Sequence, residues 1–279
     1  MALPCLLLAA CAPELPPAPA VVERAPRIVS LNPCSDAILA EVAAPGQLLA
    51  ISHYSHDPAS ASMDVDLARR FPAVSGSVEE VAALSPDVVV AGSFLAPATR
   101  QALDDLGIRV VSLPMPDDVA GSIAQVRELA RLAGNARAGD ALVERIDKAL
   151  AGAAPAGAGA EAAPLQALVW ESGGIVAGDA TLIADLLRRA GFVNGAAARG
   201  LSQADFLPLE RVVAAPPAVI FTVGDPRAQE DRMLRHPALR SLRGTARVPL
   251  ESNMLWCGGP TIPRALARLS AVRRGLGAR

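Results

Sequence analysis

Imidazole, phenol and carboxylate groups lie together in one segment of the chain, His53-Tyr54-Ser55-His56-Asp57. Imidazole and carboxylate bind Zn²⁺ and Mn²⁺, but such sites normally take three or four protein ligands, and His236 is the only other histidine. We therefore interpret His53 and His56 as hydrogen-bonding groups for a ligand or for water, and axial ligation by His56 of a metal that the ligand carries stays open. Tyr54 has a flat apolar ring with a hydroxyl, which suits a bulky ligand; the alternative is a ring packed under a loop.

Two of the four cysteines lie near the N-terminus. Cys5 belongs to an apolar stretch, and Leu8-Ala9-Ala10-Cys11 resembles a bacterial lipobox, in which the thiol is lipidated after cleavage. No Lys or Arg precedes it, which departs from the usual signal peptide, and an arbitrary apolar N-terminus is the alternative. Because a Pro-rich run follows, we expect residues 1–26 to form a lipoprotein signal and an extended tether, with Cys11 as the lipidation site at a membrane.

The other two cysteines, Cys34 and Cys257, form an even pair. An oxidising compartment favours a disulfide between them, provided that the fold brings their Cα atoms within about 7 Å. Two buried thiols and a pair of soft-metal ligands are the alternatives, and the sequence leaves all three open.

Composition excludes several classes of protein. The chain has 279 residues and a formal net charge of −2, so it lacks the concentrated basic face of a nucleic-acid-binding protein. Its single lysine, Lys148, does not follow a glycine-rich loop, and the chain contains no GxSxG, HExxH or GxGxxG motif. These missing motifs argue against the alternative to a binding protein, a secreted enzyme that uses His53, His56 or Cys34. Only five Phe, two Trp and one Tyr are present, so a site that stacks on a flat ligand must use most of them.

Strands and helices alternate in the order typical of parallel β-α-β units. Strands are predicted at 28–31, 48–52, 87–91, 109–113, 165–170, 218–222 and 247–250. Helices are predicted at 35–44, 99–106, 137–151, 181–190 and 262–276, and an earlier helical region around 119–130 ends at Gly134-Asn135. The stretches 78–90 and 209–221 also match each other, since in each a Glu opens a short helix that leads through a Pro to a buried strand.

These patterns predict the α/β fold class, with two Rossmann-like lobes whose sheets are of the parallel type and which a long connecting helix joins. The predicted boundaries place the N-terminal lobe at 27–116, the helical connector at 117–151, a flexible loop at 152–164 and the C-terminal lobe at 165–279. A helical connector limits hinge motion compared with a flexible linker.

This layout resembles the periplasmic substrate-binding proteins of iron-chelate and vitamin B12 ABC importers, the class III or helical-backbone type. The residues that carry the resemblance are Arg27-Ile28-Val29-Ser30-Leu31-Asn32-Pro33, Ser52-His53-Tyr54-Ser55 and the stretch from Glu79 through Pro86-Asp87-Val88-Val89. The resemblance implies a monomeric periplasmic receptor that is not an enzyme, has no resident cofactor and hands a metal chelate to an ABC importer permease dimer. It also implies that Glu79 and Glu210, one in each lobe, dock onto the permease, and Ser77 with Glu80 forms a capping box that leaves Glu79 exposed.

In open α/β sheets, ligands bind beyond the carboxyl ends of the strands. This rule places the ligand-binding residues in loops of both lobes: Asn32, Pro33, Cys34, His53, Tyr54, His56, Phe94, Trp170, Glu171, Phe206, Trp256, Cys257 and Gly258. Gly258 would either let the backbone approach the ligand or form a turn. We expect a cobalamin-like corrinoid or a ferric siderophore as the ligand. Haem and bare Zn²⁺ or Mn²⁺ are the alternatives, and residues 71–76 lack the Trp that the vitamin B12-binding relative would offer there.

Overall fold

The computed structural model describes residues 24–153, 165–225, 227–229 and 232–277. The predicted lipidation site Cys11, most of the predicted tether and residues 154–164 of the predicted loop lie outside this range. Within it, no helix is long and apolar enough to cross a bilayer.

The first lobe is a five-stranded parallel sheet in the order β3-β2-β1-β4-β5. Its central strands consist of small and branched apolar residues because helices cover both faces of the sheet. The strands are β1 (Ile28–Ser30), β2 (Leu48–Ser52), β3 (Ala73–Val74), β4 (Val88–Gly92) and β5 (Arg109–Leu113). The helices are α1 (Pro33–Val42), α2 (Val65–Ala68), α3 (Val78–Ala83) and α4 (Pro97–Asp105).

Two helices follow the first lobe, α5 (Val119–Leu132) and α6 (Ala136–Ala153). Asp118 caps α5 by accepting a hydrogen bond from the Gly121 amide at 2.7 Å. The chain leaves α5 through Gly134, whose φ of +69° is the left-handed conformation that favours glycine. The break predicted at Gly134-Asn135 is confirmed, and the connector is a pair of packed helices rather than one rod.

The second lobe has a six-stranded sheet in the order β11-β10-β6-β7-β9, and β8 also pairs with β6. Strands β8, β6, β10 and β11 are parallel, whereas β7 pairs in the antiparallel sense with both β6 and β9. The strands are β6 (Leu165–Trp170), β7 (Ile175–Val176), β8 (Phe192–Asn194), β9 (Asp205–Phe206), β10 (Val219–Thr222) and β11 (Ala246–Pro249). The helices are α7 (Leu182–Arg189), α8 (Leu209–Ala214), α9 (Pro237–Arg240) and α10 (Thr261–Gly277).

The internal repeat predicted from the sequence is a structural repeat. Helix α3 begins ten residues before β4, and α8 begins ten residues before β10. In each lobe this strand pairs beside the first strand of the lobe, β1 or β6. The α/β class with two similar lobes is therefore confirmed.

Covalent and packing contacts hold the lobes together. A disulfide joins Cys34, at the start of α1, to Cys257 ahead of α10, with the Cα atoms 4.9 Å apart. The Gly259 amide donates to the Ser122 hydroxyl of α5 at 2.7 Å. One apolar cluster runs through both lobes and the connector, so lobe movement is limited by a shared core as well as by the disulfide.

Candidate functional site

A short 3₁₀ turn at His53–His56 presents Tyr54 at the carboxyl end of β2. The Ser52 hydroxyl caps this turn by accepting from the Tyr54 amide at 3.3 Å. The Tyr54 side chain is 55% exposed, and its ring centroid lies 4.1 Å from that of the exposed His53. The turn therefore offers a phenol and an imidazole side by side to a ligand.

The buried carboxyl group of Asp36, in α1, stabilises this turn through hydrogen bonds, a role that was not predicted from the sequence. One oxygen of its carboxyl, Oδ2, accepts from the Ser52 amide at 3.0 Å and from the Ser55 hydroxyl at 2.7 Å. The residue is fully buried, and this burial raises the pKa of Asp36 to about 8 against the opposing effect of its hydrogen bonds. An acidic residue in the first turn of a helix is the only sequence signal, and it is an ordinary one.

Three connected depressions form a cleft along the line where the lobes meet. The first, about 360 Å³, belongs to the first lobe and is lined by Asn32, Pro33, Tyr54 and Phe94 among others. The second, about 280 Å³, lies between the lobes, and the third, about 550 Å³, lies against the second lobe.

Two exposed aromatic residues join these depressions. Phe94 lines both the first and the second, and Trp256 lines both the second and the third. Phe94 is 88% exposed and Trp256 is 39% exposed, so both rings can contact a ligand. Tyr54, Phe94 and Trp256 thus bring aromatic surface from both lobes to one cleft.

Glu171 supplies a carboxyl group to the third depression. Its Oε1 atom is shielded from solvent and has no hydrogen-bond partner among the described residues. Burial raises the pKa of Glu171 to about 7. Phe206 is also exposed, but it lies on β9 beside Gly174 and does not line any of the three depressions.

Trp170 is a correction to the predicted site. We expected its ring in the cleft because it ends β6, but the side chain is fully buried within the second lobe. Successive residues of a strand point to opposite faces of the sheet, so a position at the strand end does not by itself decide which side chain reaches a ligand. Glu171, the next residue, is the one that lines the cleft.

His56 is a second correction. Its Nε2 atom lies 3.2 Å from the carbonyl oxygens of both Ala68 and Phe71, so the ring faces its own lobe instead of a ligand. This position is unsuited to axial ligation of a chelated metal. Among the described residues, no group of three or more His, Cys, Asp or Glu side chains is arranged to hold a metal ion.

The sequence left alternatives open for Cys34, Cys257 and Gly258. The sulfur atoms of Cys34 and Cys257 are bonded to each other, which is the disulfide alternative and excludes free thiols and soft-metal ligands at these positions. A Cβ on Gly258 would lie 2.0 Å from the Ser122 hydroxyl oxygen, which shows that this glycine allows close packing against α5 and not against a ligand.

Glu79 and Glu210 occupy equivalent positions, each the second residue of its helix, and both are exposed. The predicted capping box forms in part, since the Ser77 hydroxyl accepts from the Glu80 amide at 3.3 Å. The Glu80 carboxylate instead accepts from the amide and the hydroxyl of Ser75, both at 2.6 Å. Neither contact uses Glu79.

The sequence model of the periplasmic binding protein family matches residues 28–246, most of the chain. The chain belongs to this family. Its members are binding proteins and not enzymes, and the name of the family places them in the periplasm. No curated protein matches the sequence significantly.

Solved structures of other periplasmic binding proteins share the fold at low sequence identity. The haem-binding protein HutB of Vibrio cholerae has a TM-score of 0.72 and 18% identity over 88% of this chain and 98% of its own. A haem-binding protein from Pseudomonas aeruginosa has a TM-score of 0.68 and 22% identity over 88% and 92%. The vitamin B12-binding protein BtuF of Vibrio cholerae has a TM-score of 0.68 and 18% identity over 91% and 99%.

Proposed function

We propose that this protein is the receptor of an ABC importer for a bulky, flat metal chelate without net negative charge, a cobalamin-like corrinoid. The observation that carries the proposal is the cleft, to which Tyr54, Phe94 and Trp256 contribute aromatic surface from both lobes. Aromatic rings bind a macrocycle through large apolar contact areas that lose little side-chain entropy.

The charge of the cleft favours a corrinoid over a ferric siderophore. Among the residues that the structure describes, the ionisable side chains that line the three depressions are Asp117, Glu171, Asp225 and Tyr54, and none is a Lys or Arg. A strongly anionic chelate, such as a ferric catecholate, needs cationic partners when it leaves water. A corrinoid presents amide groups instead and does not require them.

Haem is the second candidate, and the turn that carries His53 and Tyr54 supports it. An exposed imidazole or phenol oxygen can ligate haem iron, and the structural relatives HutB and the Pseudomonas aeruginosa protein are named as haem-binding. Against haem, its two propionates would find no cationic side chain among the described residues that line the cleft.

Titration of the purified chain with cyanocobalamin, hemin and a ferric catecholate separates these candidates by calorimetry and visible spectroscopy. We expect cyanocobalamin to bind most tightly, and Phe94→Ala to weaken it about tenfold because the ring joins two depressions. Leu106→Ala removes an exposed apolar side chain outside the three depressions and serves as the control. Tighter binding of the catecholate than of the corrinoid would contradict the charge argument.

We further propose that Glu79 and Glu210 dock onto the permease, one from each lobe. Their support is their equivalent, exposed positions on α3 and α8. The double variant Glu79→Arg/Glu210→Arg should abolish uptake in cells and leave ligand affinity unchanged. The matched control reverses Glu144 and Asp147, two exposed carboxylates of α6. Normal uptake by the docking variant would refute this role.

Attachment through a lipid on Cys11 also belongs to the proposal, and it rests on the lipobox-like Leu8-Ala9-Ala10-Cys11. We expect the protein to fractionate with membranes and to label with a radioactive fatty acid, and Cys11→Ser to release it into the soluble periplasmic fraction. Labelling of the Cys11→Ser variant would contradict the assignment. We expect the released protein to be a monomer.

A further inference from the structure

Two hydrogen bonds fix the backbone of Glu171, whereas one oxygen of its side chain lacks a hydrogen-bond partner among the described residues. Its amide donates to the Ile175 carbonyl at 2.8 Å, and its own carbonyl accepts from the Gly174 amide at 3.2 Å. These contacts close the tight turn between β6 and β7 and fix the backbone position from which the Glu171 side chain extends. Its Oε1 atom is nevertheless buried without a hydrogen bond among the described residues.

A buried oxygen without a hydrogen-bond donor is unfavourable, because folding shields it from water and provides no hydrogen bond in place of those to water. Native structures satisfy almost all such atoms, so an exception in a binding cleft calls for a ligand donor. Glu171 and Trp256 both line the largest of the three depressions. A cargo that lies against Trp256 therefore comes within reach of the carboxyl group.

The described residues that line the depression of Glu171 do not include a countercharge. Asp225 lines the same depression and accepts from the Arg227 amide at 2.8 Å, and Glu251 lies next to the lining residue Ser252. Asp57 is on the facing loop that contributes Ala59. Arg232 and Arg235 lie on the 3₁₀ turn packed against residues 172–174, where both are exposed and neither lines the depression.

We propose that Glu171 recognises a hydrogen-bond donor at the edge of the cargo, an amide or amine N–H, and that it gives up its proton to solvent when the cargo binds. The inference rests on the proposed function and narrows it to cargo with N–H donors. The peripheral amides of a corrinoid meet this requirement, whereas the carboxylates at the edge of haem do not.

The ionisation state of Glu171 supports this coupling. Since burial raises the pKa of Glu171 to about 7, about half of the unliganded molecules carry the proton at neutral pH. A donor N–H stabilises the carboxylate and lowers the pKa of Glu171 in the complex. Cargo binding then releases about half a proton per molecule at pH 7, and affinity rises about tenfold between pH 6 and pH 8.

Calorimetric titration with cyanocobalamin tests the inference. Measurements at pH 7 in phosphate and in Tris, whose ionisation enthalpies differ, give the number of protons released. We expect about half a proton for the wild type and for the control Glu144→Gln, which alters an exposed carboxylate of α6, and none for Glu171→Gln. The tenfold pH dependence should likewise disappear only in Glu171→Gln.

The outcomes separate the inference from the proposed function. Corrinoid binding without proton release by the wild type, a measurement that needs no variant, overturns the inference and leaves the receptor function standing. Equal proton release by Glu171→Gln, or tight binding of hemin in place of the corrinoid, also overturns it. Failure of every chelate to bind refutes the proposed function itself, and the inference with it.

Discussion

The buried carboxyl of Asp36 should make the stability of this protein depend strongly on pH. Its pKa is about 8 in the folded state, against 3.8 for an ordinary aspartate. Between these values the folded chain holds a proton that the unfolded chain has lost, so the free energy of unfolding falls as pH rises. At 1.36 kcal/mol per pKa unit, the whole shift lowers the free energy of unfolding by roughly 6 kcal/mol between pH 4 and pH 8. Above pH 8 the free energy of unfolding should not fall further from this cause.

Asp36→Asn isolates this contribution. The amide oxygen can still accept from the Ser52 amide and the Ser55 hydroxyl, but the side chain no longer ionises. Relative to the wild type, the free energy of unfolding of the variant should therefore rise by up to about 4 kcal/mol between pH 5 and pH 8. Glu171 is unchanged in both proteins, so its own pH dependence cancels from the comparison.

Urea denaturation followed by circular dichroism at pH 5, 6, 7 and 8 measures this difference. The control is Asp66→Asn, which alters an exposed carboxylate of α2 that forms an ion pair with the exposed Arg69. The control should run parallel to the wild type at every pH. A difference between Asp36→Asn and the wild type that stays constant across the range would show that Asp36 does not hold a proton in the folded state, and would refute the reasoning.

Two further predictions concern the contacts between the lobes. The double variant Cys34→Ser/Cys257→Ser should lower the free energy of unfolding by up to about 5 kcal/mol, since the disulfide closes a loop of 223 residues, and reducing agent should then have no further effect in urea denaturation. A variant as stable as the oxidised wild type would show that the shared core alone joins the lobes. Gly258→Ala should destabilise the fold by about 1–3 kcal/mol because the added methyl group overlaps Ser122. The control Gly275→Ala, in open space on α10, should stabilise the fold by a few tenths of a kcal/mol or more. Equal effects of the two variants in thermal unfolding would contradict the close packing of Gly258 against Ser122.

The positions of strands were readily predicted from the sequence. Strands β2, β5 and β6 have the bounds expected from their apolar runs. Such runs are informative because a strand covered on both faces must be apolar throughout. The repeat of α3 and β4 in α8 and β10 was also predictable. In each lobe a short helix begins ten residues before a buried apolar strand, and both the apolar run and the spacing can be read from the sequence.

The directions of side chains were harder to predict. Trp170 and Glu171 are neighbours at the end of β6, yet the indole is buried and the carboxyl lines the cleft. His56 and Tyr54 share one short turn, yet the imidazole contacts carbonyl groups of its own lobe and the phenol is exposed. In each case, side chains one or two positions apart in the sequence point in different directions. Contacts with residues distant in the sequence determine which of them reaches the cleft.

By itself, the sequence determined the two α/β lobes, the helical connector and the loops that hold the candidate site, because alternating apolar runs and turn residues act over short distances. Only the tertiary structure decided which side chains meet. It brought Cys34 and Cys257, 223 positions apart, into bonding distance, buried Asp36 beneath the turn of Tyr54, and left Glu171 Oε1 without a hydrogen-bond donor among the described residues. Proximity and burial are properties of the assembled lobes: proximity allows the disulfide, and burial raises the pKa of Asp36 and of Glu171.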